Sequence, residues 1–545
     1  MSRLLNGGAR LRPSDSASLC LALTAIAATL AVLVAGCGDS GDGASGAGAA
    51  IPPDAVVYLE ADISGDGDQP AKLDALLSEL GEIPLLGTPV EPKDLIAQAL
   101  EDSAADSGVD FSFTEDVEPW LGDTVAIGVR SLDEEEPGIV LSIAVDDEEI
   151  ARDALERITA QEDGSKPTAE EYDGVSYSLS EDDDFAVGIF DEMLVLSTAG
   201  EFEAAVDASR GDSLADEDAV GEAFDALPEE RLASAFVNVE GAVESEVNTE
   251  AEQVRLDGVR EAVPELLEPV AVGAIAGERS LALDVAVPHG EDAPDFPGTS
   301  KLAEAPADAF AALGFAALGE QLASIVERVE PLAGAEAGSL GEDFERAVGV
   351  PLDEALAGIG DSVAYVRGEL PEEFVATFDA SLAGEGDVLE RLLAGVEALA
   401  AQDDTVLGPA IGGGTGFSAE PTPEVADSSP VKFINAELGD ELRVLAASDR
   451  ELAEQAPPAE TLGDTDRFQA AGDALSDDFE MVGFADLEPI LDAAVPGGSI
   501  LDLAVGDVPP EQAVVGFLAG KLGFAAAGIR ADGDYSVQRL LVGLR

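Results

Sequence analysis

The same short segments occur twice along the chain, in the same order. Residues 53–60 (PDAVVYLE) are similar to residues 306–313 (PADAFAAL), and residues 121–126 (LGDTVA) are similar to residues 359–364 (IGDSVA). Recurrence at a large and similar spacing is typical of a duplicated structural unit. The sequence therefore predicts two diverged copies over residues 51–290 and 301–545, joined by a polar, Pro- and Gly-rich linker over 291–300.

Each copy reads as an α+β unit. Short alternating or apolar runs separated by tight turns predict a mostly antiparallel sheet. Helices are predicted where acidic residues precede apolar residues at helical spacing, at 148–160 after Asp146-Asp147 and at 450–455 after Ser448-Asp449. We expect the helices of each copy to cover one face of its sheet. The strands expected in the first copy are 55–61, 124–129, 139–145, 185–189, 193–197, 233–239, 270–275 and 281–287.

Two irregular stretches fall at corresponding places in the copies. Residues 161–184 contain an acidic EDDD run, and residues 402–430 are rich in Gly, Pro and Ser. Such composition is typical of surface connections. Both stretches are therefore predicted to be projecting loops, and the run Gly412–Gly416, which lacks the lysine of a phosphate-binding loop, is predicted to be flexible.

The N-terminus has the three parts of a secretory signal. Arg3, Arg10 and Arg12 precede a 17-residue apolar run, 19–35, which is followed by Gly36 and Cys37. Small residues before a cysteine are typical of a bacterial lipoprotein signal. An uncleaved membrane helix and a plain secretory signal remain alternatives, although 17 residues span only about 26 Å against a hydrocarbon core of roughly 30 Å.

This interpretation assigns a lipid anchor to the mature protein. Residues 1–36 are predicted to be the signal peptide, with a lipobox formed by Val34, Ala35 and Gly36. Cys37 would then carry diacylglyceryl and palmitate-type acyl chains, which hold a protein stably on a membrane. Residues 37–50 (CGDSGDGASGAGAA) are predicted to form a flexible tether. The expected location is the extracytoplasmic face of the cell membrane or envelope.

Charge and cysteine content exclude several classes of protein. The chain has 27 Lys and Arg against 113 Asp and Glu, a formal net charge of −86. Such a surface repels nucleic acid and anionic headgroups, so the membrane partner must be reached through the acyl chains. The second cysteine, Cys20, lies in the signal, so no disulfide stabilises the mature chain. Since 46% of the residues are hydrophobic, a core takes that role.

No catalytic motif stands out. The single histidine, His289, is placed in the polar stretch that begins the linker; a Ser-His-Asp triad would depend on it alone, and no Ser stands in a G-x-S-x-G turn. The body has no cysteine, and this composition excludes a His/Cys zinc site. No cofactor is predicted, with calcium left open: Asp62, Asp66 and Asp68 resemble the first half of an EF-hand loop, but Leu73 stands where the bidentate Glu belongs. Paired carboxylates for hydrolysis also stay open, because acids are so numerous. Trp120 is predicted to pack at the entrance of a strand.

A family resemblance follows from three segments: 53–60, the turn 117–123 (VEPWLGD), and the Gly-rich hairpin that closes the chain. Together they resemble domain-of-unknown-function family 3352, uncharacterised bacterial envelope proteins. The resemblance covers most of 51–545 and implies no activity, cofactor or catalytic residue.

The expected function is therefore a lipid-anchored, extracytoplasmic and non-enzymatic module that binds a protein partner or an apolar ligand. One alternative is a carboxylate-based, metal-assisted hydrolase of envelope material. The other is an acidic, cation-binding or structural surface protein.

Overall fold

A computed structural model describes most of the body of the chain in two compact units. The described residues are 46–64, 67–80, 97, 101, 111–131, 138–159, 168–180, 184–247, 249–289, 300–329, 338–370, 372–382, 386–401, 405–422, 429–476, 478–494 and 520–545. The first unit takes residues up to 79, 88–248 and 268–278, and the second takes 80–87, 249–267 and 279–545. The border thus departs from the predicted one: the helix Glu250–Ala262 and the strand Ser280–Pro288 belong to the second unit.

The first unit contains nine described strands, all paired antiparallel. In the sheet they are ordered β9-β8-β1-β2-β3-β7-β6-β5-β4. The strands are β1 (Val57–Asp62), β2 (Leu121–Ser131), β3 (Gly138–Val145), β4 (Thr168–Tyr172), β5 (Val175–Leu179), β6 (Phe185–Phe190), β7 (Met193–Thr198), β8 (Ala233–Val237) and β9 (Val270–Ala276). The described helices are Asp68–Leu80, Phe113–Asp116, Glu148–Thr159, Phe202–Arg210, Asp218–Asp225 and Val239–Glu246, with short 3₁₀ turns at Gly46–Ala50, Ala199–Glu201 and Leu214–Asp216.

Helices lie against both faces of this sheet, so the expectation of a single covered face is wrong. On one face Phe202 stacks on Tyr177 with ring centroids 4.4 Å apart and sits over Gly188, where a Cβ would approach its ring within 2.6 Å. On the other face Ala151 and Ala154 of Glu148–Thr159 pack with strand residues of β3, β6 and β7. A sheet with apolar side chains on both faces needs cover on both.

Residues 46–50 belong to the folded unit and not to a flexible tether. Ala47 and Ala50 are fully buried in the 3₁₀ turn Gly46–Ala50, and Ile51 behind them packs where a Cβ on Gly128 of β2 would clash. Small side chains let this backbone lie close to the sheet. The predicted tether therefore ends by residue 45, and residues 37–45 lie outside the described residues.

The second unit contains eleven described strands, again all antiparallel, in the order β10-β20-β19-β18-β11-β12-β13-β17-β16-β15-β14. The strands are β10 (Ser280–Pro288), β11 (Ala309–Phe315), β12 (Ile359–Glu369), β13 (Glu373–Leu382), β14 (Thr405–Pro409), β15 (Thr415–Pro421), β16 (Phe433–Leu438), β17 (Glu441–Ala447), β18 (Glu480–Asp486), β19 (Leu522–Asp532) and β20 (Tyr535–Leu544). The described helices are Glu250–Ala262, Ser300–Glu304, Leu318–Val329, Gly338–Val348, Leu352–Ala357, Gly386–Ala400, Arg450–Ala453, Asp466–Leu475 and Leu487–Ala494, with 3₁₀ turns at Pro264–Leu266 and Leu462–Asp464.

Helices again contact both faces. Ala453 packs with Phe433 and Leu445 on one face. On the opposite face, Leu389 and Leu393 of Gly386–Ala400 cover the β15–β16 edge. The rest of that second face spans β11, β12, β13 and β17.

Both predicted loops contain β-hairpins instead. In the first unit β4 and β5 pair across the turn Asp173-Gly174, whose φ angles of 47° and 82° are those of a tight hairpin turn. In the second unit β14 and β15 pair, and Glu437 accepts hydrogen bonds from the backbone N–H groups of Gly412 and Gly414, both at 3.2 Å. The Gly-rich run is therefore a turn held around a carboxylate.

Candidate functional site

An apolar face of the second unit lies open to solvent. The strand registers place Leu313, Ala364, Phe378 and Val444 in one row across β11, β12, β13 and β17. A second row, two residues further along each strand, holds Ala311, Val366, Ala376 and Ala446. Residues directly opposite in paired strands share a face, so these eight side chains form one surface, here called the open face.

The open face is concave and without charge. It forms a shallow depression of about 360 Å³ that is open to solvent. Leu313 is 52% exposed and Val444 37% exposed, although side chains of this kind are usually buried. The lining also includes Ala312, Tyr365 and Thr377, and it contains no Asp, Glu, Lys, Arg or His.

An apolar row of the first unit is closed by comparison. There the register aligns Leu59, Ile127, Leu141 and Leu196 across β1, β2, β3 and β7. The last three are buried in one cluster built from strand residues, against which Leu59 packs. In the row of the open face, by contrast, Leu313 and Val444 are exposed.

The charges behind the open face are paired on its far side. Asp379 of β13 accepts two hydrogen bonds from Arg443 of β17, at 2.6 and 3.0 Å, and one from Tyr365 at 3.4 Å. This carboxylate raises the pKa of the Arg443 guanidinium, and burial next to Asp379 raises the pKa of Tyr365. The network fixes the spacing of β12, β13 and β17 while presenting no charge to the open face.

The apolar surface continues toward β10 and β20. Gly483 and Ala527 extend the first row from Leu313 to Leu540 and Leu283, both about half exposed. Behind these strands Asp284, with no exposed surface, accepts two hydrogen bonds of 2.7 Å from Arg539. This buried ion pair clamps the two strands together.

The predicted anchor and calcium residues are only partly described. Cys37 and the lipobox residues Val34, Ala35 and Gly36 lie outside the described residues, as does Asp66. Asp62 ends β1 and accepts a hydrogen bond from the backbone of Ser64 at 2.7 Å, whereas Asp68 begins the helix Asp68–Leu80. Among the described residues no group of three or more His, Cys, Asp or Glu side chains is arranged to hold a metal ion. Calcium binding by Asp62, Asp66 and Asp68 stays a prediction.

Two further sequence predictions are resolved. Trp120 is buried, donates from Nε1 to the carbonyl of Asp116 at 2.5 Å, and packs against Ala151, which confirms a packing role. His289 follows β10, and its backbone N–H donates to the carbonyl of Asp534 at 2.9 Å within the second unit.

The sequence search missed the open face because no motif marks it. Its residues come from four strands spread over residues 311–446, and only their register brings them together. The available signal was the apolar alternation Ala311-Leu313 in β11 and Ala376-Phe378-Ala380 in β13, which predicts an apolar face for each strand without showing that it is uncovered.

Comparison with known families gives one match. The family model described as "Protein of unknown function (DUF3352)" matches residues 87–359, half of the chain. The chain belongs to this family. The resemblance noted at residues 117–123 lies inside the matched range, and membership in DUF3352 assigns no activity to any residue.

Comparison with solved structures gives weak similarity. Crystal form I of TP0453 is 9% identical, covers 47% of this chain and 82% of its own, and has a TM-score of 0.25. Crystal form III is also 9% identical, covers 75% and 97%, and has a TM-score of 0.17. Scores this low carry no argument about fold or function. No curated protein matches the chain.

Within the described ranges no helix is both long enough and apolar enough to cross a membrane.

Proposed function

We propose that this DUF3352 protein is a lipid-anchored, extracytoplasmic and non-enzymatic binding protein that holds an apolar ligand on the open face of its second unit. The observation that carries the proposal is the exposure of Leu313 and Val444 over a concave, charge-free floor. Contiguous exposed apolar surface is costly in water and marks interaction sites. A hydrolase is not favoured there, because the lining contains no carboxylate.

The anchor part of the proposal rests on the N-terminal sequence. Cys37 directly follows the small residues Ala35 and Gly36 at the end of an apolar run. With the folded body beginning by residue 46, the nine residues 37–45 give a root-mean-square reach of about 15–18 Å. The body would then be held close to the headgroups on the extracytoplasmic side, where apolar ligands are abundant.

We also propose that the two units arose by duplication, and two paired contacts support this. In the first unit Asp54 forms an ion pair with Arg130, which directly follows the strand partner of Val57. In the second unit Asp308 forms an ion pair with Arg367, which directly follows the strand partner of Ala311. Each unit also has a capping box, with the hydroxyl of Ser213 2.8 Å from Asp216 in one and that of Thr461 2.9 Å from Asp464 in the other.

Site-specific photo-crosslinking tests the binding function. The full-length protein is expressed with benzoylphenylalanine in place of Leu313, irradiated in its own membranes, purified, and the tryptic peptides are weighed by mass spectrometry. We expect small apolar adducts on the peptide that carries the probe.

The matched control places the same probe at Ile325, which is 55% exposed on the helix Leu318–Val329, outside the open face. No adduct is expected from this position. Equal yields from both positions, or none from Leu313, would contradict ligand binding at the open face. The anchor is tested separately, because a mass for the N-terminal peptide without acyl chains on Cys37 would refute it and leave the binding result untouched.

A further inference from the structure

Resting on the proposed function, we infer that the occupant of the open face is the hydrocarbon chain of an electrically neutral lipid. The shape of the face is the first argument. Its row of small side chains continues from Ala446, Ala376, Val366 and Ala311 to Ala485 and Ala525, and so crosses six strands. At about 4.8 Å between strands the row is about 24 Å long.

The width of the surface is the second argument. The larger side chains Leu313, Phe378 and Val444 stand in the neighbouring row, two residues away along the strands, which is about 7 Å. The small side chains therefore form the floor of a long, shallow trough, which bulkier groups border at β11, β13 and β17, while the neighbouring row is small at β12, β18 and β19. An extended aliphatic chain can lie along such a floor, whereas a bulky ring system contacts only part of it.

Charge is the third argument, and it decides between occupants. The lining carries no charged side chain, so a basic protein finds no carboxylate on the face itself. A second copy of the chain would bring two bodies together that each carry a formal net charge of −86, and an anionic lipid is repelled by the same charge. A neutral lipid is the apolar occupant that avoids both costs.

Photoactivatable lipids test the inference on the full-length protein held in phosphatidylcholine nanodiscs. One sample contains photoactivatable diacylglycerol and the other photoactivatable phosphatidic acid, and labelled tryptic peptides are counted by mass spectrometry. We expect diacylglycerol to label peptides from β11 to β13 and β17. At low salt the preference over phosphatidic acid should be about threefold or more, and it should shrink at high salt as the charges are screened.

Three variants distinguish lipid binding in the trough from nonspecific adsorption of lipid to apolar surface. Leu313→Asp adds a charge to the rim and Ala376→Leu fills the floor without one, and each should lower labelling at least tenfold. Ile325→Asp, made at an exposed apolar position outside the face, should leave labelling unchanged.

Each other outcome counts against a defined part of the account. Equal labelling by the two lipids at low salt, or unchanged labelling in Ala376→Leu, overturns the neutral-lipid inference. If diacylglycerol fails to label the face while the probe at Leu313 still captures another apolar molecule, the inference falls and the proposed function stands. If neither experiment gives an adduct on the face, both fall.

Discussion

Replacing Arg539 by Met is expected to destabilise the second unit strongly. Arg539 donates two hydrogen bonds of 2.7 Å to Asp284, one of 3.0 Å to the carbonyl of Leu475, and lies 4.1 Å from the ring centroid of Phe479. Without it, Asp284 is left as a charge with no exposed surface and no cationic partner. Losing one partner of a buried ion pair typically costs about 3–5 kcal/mol.

The double variant Asp284→Leu with Arg539→Met sharpens this prediction. Replacing both charges with apolar groups of similar volume is often close to neutral, so the pair should recover most of the stability lost in the single variant. Urea unfolding followed by far-UV circular dichroism measures both. Arg450→Met is the control, because its ion pairs with Glu420 and Glu454 are solvent-exposed and contribute little to stability. A loss below about 1 kcal/mol for Arg539→Met, or a double variant as unstable as the single one, would refute the reasoning.

Three more changes have defined outcomes. Gly319→Ala should cost about 1–3 kcal/mol in urea unfolding, because its Cβ would meet the carbonyl oxygen of Leu356 at 1.8 Å, whereas Gly341→Ala has open space and should be neutral or slightly stabilising. Burial beside Glu60 raises the pKa of Tyr58 above its ordinary value of 10.0. The unfolded state therefore loses the phenol proton first, and stability should fall as the pH rises past 10. In thermal melts, Tyr58→Phe should reduce this loss of stability at alkaline pH. Hydrogen bonds from Ser213 lower the pKa of Asp216 below 3.8. The ionised carboxylate therefore stabilises the fold above that pH, and this stabilisation is lost as Asp216 is protonated in acid. The stability difference between wild type and Asp216→Ala should vanish in acid, and a constant difference would contradict this role.

Strands and helices with an apolar period were predictable from the sequence. The expected strand 139–145 is observed as Gly138–Val145, and the expected helix 148–160 as Glu148–Thr159, where Asp147 accepts bonds from Glu149 and Ile150 at the helix start. In both cases the local signal and the tertiary environment agree.

The elements that the sequence did not predict have physical reasons for being missed. The strand Thr168–Tyr172 is exposed along nearly its whole length, so it has no apolar alternation, and its only signal is the Asp173-Gly174 turn. Residues 46–50 have the composition of a linker, yet their small side chains are what allows close packing. The border between the units could not be predicted from the order of the chain. The helix Glu250–Ala262 belongs to the second unit, although a strand of the first unit follows it in the sequence.

The open face illustrates a different limit. Alternation in β11 and β13 predicts one apolar side for each strand, but whether that side is covered depends on registers between distant segments. In the first unit the row that holds Ile127 is largely buried, whereas in the second unit the row that holds Ala364 is half-buried or exposed. Such a difference in cover is invisible without knowledge of the neighbouring strands and helices.

The most direct test of the central claim is an experimental structure of the full-length protein purified from its native membranes. The account predicts elongated density along the alanine floor, in contact with Leu313, Phe378 and Val444 and without strong polar partners. Ordered water on the floor, or side chains of the protein itself packed over all three residues, would contradict it.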